Sequence, residues 1–341
     1  MMNRREAVCA LGATVASAAI SPFHQASART SMPRRIVDTH HHLISPSFAA
    51  AKGSAVQART SGSASLIWTP EKSLAAMDEG GVSKAILSLP GGVWFGDAAE
   101  SRRLAREINE FAAGAVRSHP DRFGFFATLP LPDTEGSLAE IAYALDVLKA
   151  DGIHLTTSYD ETYLGDKRFE PVFAELNRRG AVIYMHPTTC TCANKVPELP
   201  NPFLEFVFDT TRTIASLLFS GTLSKSRNIK WIFSHGGGTM PMVAGRIAGY
   251  AKSNPEVSAR LPDGPIAELQ RLYYDTANVT HRDSLAGLRA MVPASQIVFG
   301  SDFPYVPIAS QVENLRNSTL SGDELAQILH RNSDRLMPAR S

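Results

Sequence analysis

Eight short apolar runs, each followed by a stretch of helical period, constrain this chain more than any other feature. The runs are Ile36–Thr39, Val82–Leu89, Phe123–Leu129, Ile153–Thr156, Ala181–Met185, Ile229–Phe233, Arg271–Tyr274 and Gln296–Phe299. Most are continuous rather than alternating, the pattern of strands buried on both faces. Between them the spacing predicts helices over Glu71–Glu79, Asp97–Ser118, Thr134–Ala150, Arg168–Arg179, Phe203–Ser220, Pro241–Ser253 and Arg282–Met291. Two closing helices fall near Ser310–Arg316 and Asp323–Leu336. Thr69 before Pro70 reads as an N-cap, and Gly80-Gly81 and Gly180 read as stops. Residues 46–69 are rich in small residues without a period and read as a long loop. Strands alternating with helices imply a parallel sheet. Eight such units predict a closed α/β fold, the (β/α)₈ TIM barrel, in one domain spanning 29–341. An open doubly wound sheet is the alternative, but its G-x-G-x-x-G turn is missing, and no Walker A loop occurs.

The N-terminus is set apart from this pattern. Arg4-Arg5 precedes a mildly apolar Ala/Gly/Ser-rich run from Ala7 to Ile20, and Ala26-Ser27-Ala28 has the small residues of a cleavage site. Residues 1–28 therefore read as a twin-arginine export signal, with the bacterial periplasm as destination and the cytoplasm as the location without it. The run is too short and too weakly apolar to anchor the chain stably in a membrane. Lys plus Arg is 34 and Asp plus Glu is 33, so no charge excess points to nucleic acid. Three cysteines do not make a disulfide scaffold; Cys9 would leave with the signal. Cys190 and Cys192 form a C-x-C pair that reads as ordinary thiols, since residues so close bridge each other poorly.

The chain has ten histidines, and their places in the pattern separate them. His40 and His42 share one face of an extended segment at the end of the first strand, while His41 points away and packs outward or caps a loop. His186 ends the fifth strand, His235 the sixth, and Asp302 follows the eighth. In a barrel these strand ends form the face where active sites lie. His24, His119, His281 and His330 read as core or surface residues, and His154, within a strand, could be either. Imidazoles with one carboxylate suit Zn²⁺, and Mn²⁺ or Fe²⁺ take the same donors.

The motifs H-x-H, His186, Ser234-His235-Gly236-Gly237-Gly238 and Gly300-Ser301-Asp302-Phe303-Pro304 resemble the amidohydrolase superfamily. More narrowly they are similar to its branch of aminocarboxymuconate-semialdehyde decarboxylase and related nonoxidative aromatic decarboxylases. The segments 154–165, 208–220 and 234–246 resemble the 6-methylsalicylate decarboxylase-like group. The resemblance implies one divalent metal ion, Zn²⁺ first, on His40, His42, His186 and Asp302. It implies His235 as the acid/base residue. Arg246 falls on an arginine that holds the substrate carboxylate across a subunit boundary, which implies a homodimer. Two departures narrow the expectation. No lysine stands in Gly152–Thr156, so one metal is favoured over two. No arginine stands in Gly62–Ile67, directly before Trp68, so a monocarboxylic aromatic acid fits better than a dicarboxylate.

The expected activity is metal-dependent decarboxylation of a small salicylate-like acid, with Asp302 or His235 delivering a proton to the ring carbon that bears the carboxylate. The alternative is hydrolysis of a lactone, ester, amide or activated C–C bond by the same metal and His235. An export signal favours the second reading. Trp94 and Phe303 are expected beside the substrate, with the loop Thr188–Pro202 as a wall. Asp209 and Arg212 read either as an i,i+3 ion pair or as a substrate contact.

Overall fold

The structure, a computed structural model, describes residues 35–52, 68–188, 196 and 198–338. The expected export signal and Cys9, Cys190 and Cys192 lie outside the described residues. The strands are β1 (Val37–His42), β2 (Lys84–Ser88), β3 (Phe123–Thr128), β4 (Gly152–Thr156), β5 (Ser158–Tyr159), β6 (Thr162–Tyr163), β7 (Val182–His186), β8 (Lys230–Phe233), β9 (Tyr273–Asp275) and β10 (Ile297–Val298). Eight of them form one parallel sheet in the order β1-β2-β3-β4-β7-β8-β9-β10. Three backbone hydrogen bonds join its two ends: Thr39 N to Phe299 O (2.9 Å), Asp302 N to His40 O (2.9 Å) and His42 N to Phe303 O (2.8 Å). The sheet is thus a barrel with its seam between the first and last strands.

Ile86, Phe126, Val182, Tyr184, Ile232 and Val298 make one compact cluster with Val37, drawn from alternate strand positions. A larger core lies between the strands and the helices. The helix Ala98–Ser118 shows how that core is built. Asp97 caps it by accepting from Glu100 N at 2.7 Å, and Leu104, Ala105, Ile108 and Ala112 are its buried stripe. Burying Leu104 and Ile108 contributes about 1.5–3 kcal/mol each.

The differences from expectation are local. Residues 46–69 do not form a loop throughout: Pro46–Lys52 is a helix, its start held by Phe48 N donating to Ser45 Oγ at 3.1 Å. The helix from Thr134 ends at Ala142 and continues as a widened turn over Tyr143–Val147. Short helices Pro255–Arg260 and Pro265–Gln270 fill a stretch that lacked a clear period. β5 and β6 form a hairpin whose central residues Asp160 and Glu161 have φ of 47° and 61°. No helix among the described residues is long and apolar enough to cross a membrane.

Candidate metal centre

β1 delivers His40 and His42 to the same side, as alternation requires, and all three consecutive histidines of this strand are buried. His186 ends β7. Asp302 comes after β10 and crosses the seam to reach them. The ligand atoms of His40, His42, His186 and Asp302 all lie within 4.8 Å of one another. His40 Nε2 and His42 Nε2 are 3.1 Å apart, and each stands 3.2 Å from Asp302 Oδ1.

The outer nitrogens fix which atoms face inward. His40 Nδ1 lies 2.8 Å from Asp275 Oδ2, His42 Nδ1 3.3 Å from Ser88 O, and His186 Nδ1 3.0 Å from Pro187 O. Each Nδ1–H donates to oxygen, so each Nε2 faces the centre and is the atom an ion would take once it carries no proton. Asp302 is held at its other oxygen by Asn278 Nδ2 at 2.9 Å. Asp275 does more than orient His40, because its Oδ1 accepts from His235 N (2.8 Å) and Ala277 N (3.0 Å). Asp275 and Asn278 were not anticipated. The readable signal for Asp275 was its place, an acid closing a strand as the other inward groups do.

The electrostatics suit a cation. Burial pushes His40 down, but the Asp275 and Asp302 carboxylates outweigh it and raise the imidazole to about 10. Burial would raise Asp302, yet His40 and the hydrogen bonds from His40 and His42 hold it well below the usual carboxylate range. Burial keeps His186 well below, and His42 below, the ordinary imidazole value. Two neutral imidazoles, an ionised carboxylate and a third imidazole that retains a proton form a site with an appetite for positive charge. The donor set therefore fits a divalent ion, which would take the place of that proton.

His235 follows β8 with φ at 53°, and Asp302 and Asn278 have φ of 68° and 58°. Three non-glycine residues in the left-handed region thus cluster at one site, and all three are types that tolerate it best. His235 Nδ1 lies 3.1 Å from Ala277 O, which leaves Nε2 for the site, and its ring centroid is 4.9 Å from that of His40. Gly237 and Gly238 follow at φ 76° and 67°; a Cβ on Gly238 would collide with the Val207 carbonyl, so this turn needs glycine to let the helix Asn201–Phe219 approach.

His154 is fully buried on β4, its ring 6.3 Å from that of His186. Neither of its nitrogens has a hydrogen-bond partner among the described residues. Burial, then His42 and His40, drive it down to about 3, so it is neutral. An eight-stranded barrel of shear eight climbs one residue per strand. Followed through the register, that climb puts Ser88, His154, Ser234 and Gly300 on one level, between that of His40 and Tyr184 and that of His42 and His186. The hydroxyls of Ser88 and Ser234 are likewise buried without a partner.

Other expected residues fall as follows. His41 does point out of the barrel, into buried contacts with Asp38 and Ser73, and Phe303 stacks on it at 4.5 Å between centroids. Phe303 is thereby drawn to the outer face of β1. Trp94 is half-buried and Arg246 is exposed. Trp68 is core, packed near Phe111 and Phe123. Tyr305 and Phe206 approach the centre instead, with ring centroids 5.6 Å from His42 and 6.1 Å from His186. Asp209 is buried and accepts from Thr157 and from Tyr163 (2.6 Å), tying the β5–β6 hairpin to the helix Asn201–Phe219. A surface cavity of about 790 Å³ lies at the opposite ends of the strands, but its Arg179, Arg227 and Arg271 are paired with Asp146, Glu175, Asp263 and Glu268.

Known proteins share both the sequence and the architecture. The chain is 40% identical over 290 residues to decarboxylase macB of Penicillium terrestre, covering 80% of this chain and 85% of that protein. It is 38% identical over 282 residues to 6-methylsalicylic acid decarboxylase acuB of Aspergillus aculeatus, covering 80% and 84%. A dihydroxybenzoic acid decarboxylase from Polaromonas sp. JS666, solved with bound manganese and 2-nitroresorcinol, superposes with a TM-score of 0.76 at 20% identity, covering 89% of this chain and 96% of that one. The amidohydrolase family model matches residues 37–338, nearly all of the barrel described above, and the chain belongs to that family.

Proposed function

We propose that this protein is a metal-dependent nonoxidative decarboxylase, a carboxy-lyase that releases CO₂ from a small aromatic, salicylate-like acid. The observation that carries the reading is the buried cluster of His40, His42, His186 and Asp302 with His235 beside it, in a chain 38–40% identical to proteins named as decarboxylases. We assign Zn²⁺ first and Mn²⁺ as the alternative; the manganese in the Polaromonas sp. structure supports the second.

His40, His42, His186 and Asp302 would hold a divalent ion, which would supply Lewis-acid stabilisation of the substrate's negative charge. The chain's own groups supply the proton. Asp302 is held ionised, with one oxygen among the ligand nitrogens and the other on Asn278, so it is a poor proton store. His235 Nε2 is the better candidate: with Nδ1–H fixed on Ala277 O, the doubly protonated ring carries its transferable hydrogen on Nε2, the nitrogen left for the site. The proton from His235 goes to the ring carbon that bears the carboxylate. The bond to the carboxylate then breaks, its electron pair restores the aromatic ring, and CO₂ leaves. Tyr305 and Phe206, with Trp94, are the proposed apolar walls, while Phe303 is taken up by its stack on His41.

Arg246 lies on the helix Met240–Ser253 between exposed Met242 and Tyr250, one turn to either side. That stripe supports a homodimer in which Arg246 of one copy holds the substrate carboxylate bound by the other. Arg4-Arg5 and the apolar run after them support export to the periplasm.

The test is one incubation of metal-loaded protein with hydroxylated benzoic acids and with aromatic esters and lactones, reading CO₂ and acid release together. His186→Ala and Asp302→Ala are the controls. The expected result is metal-dependent CO₂ release, lost in both variants. Acid release without CO₂ would make the protein a hydrolase and overturn the reading.

A further inference from the structure

Asp38 is a buried carboxylate that touches neither the four proposed ligands' donor atoms nor open space. Its Oδ1 accepts from His40 N at 3.1 Å and from Ser301 N at 3.0 Å. Its Oδ2 accepts from Ser301 Oγ at 2.6 Å and stands 3.1 Å from His41 Nδ1. Four donors thus converge on one carboxylate from both sides of the barrel seam. All three donor residues adjoin or include proposed metal ligands: His40 itself, His41 between His40 and His42, and Ser301 next to Asp302. Ser301 Oγ also accepts from Phe303 N at 3.1 Å, so the turn that throws Asp302 into its left-handed conformation is pinned on both sides.

A second set of bonds orients the carboxylate. Trp68 Nε1, which can only donate, gives its hydrogen to Ser73 Oγ at 2.8 Å. His41 Nε2 lies 2.9 Å from the same oxygen. Beside an ionised carboxylate, His41 Nδ1 must carry the hydrogen. In the neutral ring Nε2 is then the acceptor, and Ser73 donates to it. The line Trp68, Ser73, His41, Asp38 has one consistent direction. Its order of Ser, His and Asp looks like that of a nucleophilic triad, but Ser73 and His41 are wholly buried and Ser73 is already held by Trp68. It positions; it does not attack.

We infer that Asp38 is a positioning residue for the metal centre: it sets His40 and Asp302 against each other across the seam, and His41, Ser73 and Trp68 hold it in that orientation. The inference rests on the metal-centre reading. Asp38→Asn is nearly isosteric but puts an NH₂ group where an acceptor stood. His41 would then have to accept at Nδ1 and donate from Nε2 to Ser73. Outer partners of metal-binding histidines typically govern 10- to 100-fold in metal affinity.

The test measures Mn²⁺ binding by titration calorimetry, kcat and KM at saturating Mn²⁺, and the His41 tautomer by ¹⁵N NMR, for the full chain and for Asp38→Asn and Ser301→Ala. The expected result is Mn²⁺ binding about 10- to 100-fold weaker in Asp38→Asn. Its kcat falls with KM little changed, and the His41 hydrogen moves from Nδ1 to Nε2. Ser301→Ala changes affinity in the same direction with its Tm retained, and it carries the test if Asp38→Asn does not fold. A wild-type chain that binds neither Mn²⁺ nor, titrated in the same way, Zn²⁺ overturns the metal centre and the inference with it, whereas a wild-type chain that binds the ion while either folded variant keeps its affinity overturns the inference alone.

Discussion

Competition between a proton and a metal ion at His40 can be worked through from the geometry. Without metal, Asp275 and Asp302 raise His40 to about 10 against burial, while His42 and His186 are lowered and Asp302 is ionised. Between pH 6.5 and about 10, therefore, His40 is the one ligand that must lose a proton to bind an ion. One proton should be released per ion bound. Affinity should rise about tenfold per pH unit in that window, or roughly thirtyfold from pH 7.0 to 8.5. Calorimetric titration of the metal-free protein with Mn²⁺, in buffers of different ionisation enthalpy, gives the proton count and the affinity together. The same proton acts on stability. A proton held more tightly by the folded chain stabilises it fully below pH 6.5, and that contribution is lost as pH climbs through about 10. Metal-free protein should lose about 1.4 kcal/mol per pH unit across the window. Below it, the lowered His42 and His186 reverse the slope, because the unfolded chain then binds protons that the folded one refuses. Metal-loaded protein should lose the upper slope and keep the lower one, made steeper because His40 then also refuses a proton. A proton count near zero, or an affinity that is flat from pH 7.0 to 8.5, would refute the reasoning.

Other outcomes can be checked alongside. His154→Leu removes a buried imidazole whose two nitrogens have no hydrogen-bond partner among the described residues; relief of about 1–3 kcal/mol against a smaller packing cost should raise Tm by about 2–4 °C, and a fall in Tm in a thermal melt would mean the ring has a partner. In Gly300→Ala the new Cβ would sit 2.7 Å from His40 Cβ and 3.0 Å from Asp275 Cβ. Forcing that pair apart should cost about 1–3 kcal/mol and weaken metal binding, both read by denaturant titration with and without Mn²⁺. Asn278→Gly keeps the left-handed backbone but frees Asp302 Oδ2, so metal affinity should fall about tenfold at unchanged Tm, whereas Asn278→Ala should lose both.

The barrel was legible because parallel strands buried on both faces are written as plain apolar runs, and all eight runs overlap strands of the sheet. His40 and His42 were legible through strand alternation alone. The missed elements are those with too few residues to show a period. β5 and β6 have two residues each, and the helices Pro255–Arg260 and Pro265–Gln270 have six. Pro46–Lys52 was hidden by its alanines, which read as linker until Phe48 is seen buried in the core. Asp275 and Asp38 escaped for a different reason. Asp275 closes its strand as the inward groups do, which marks its place, but the role of either acid depends on which atoms face it across the barrel, and spacing along the chain does not give those atoms.

The seam has a consequence for how the molecule is made. Asp38 and Ser301, which bond directly, are 263 residues apart in the chain, and His40 and Asp302 are almost as distant. Contacts between the two extremes of a domain close late, because the long intervening loop must first be ordered. A nascent chain emerging N-terminus first can therefore present His40, His42 and His186 long before Asp302 exists. Three imidazoles without their carboxylate make a weaker and less selective site, and tight binding of the ion becomes a signature of a finished chain. An ion bound there joins the first strand to the last like a clasp, so its release should loosen the barrel first along that one line.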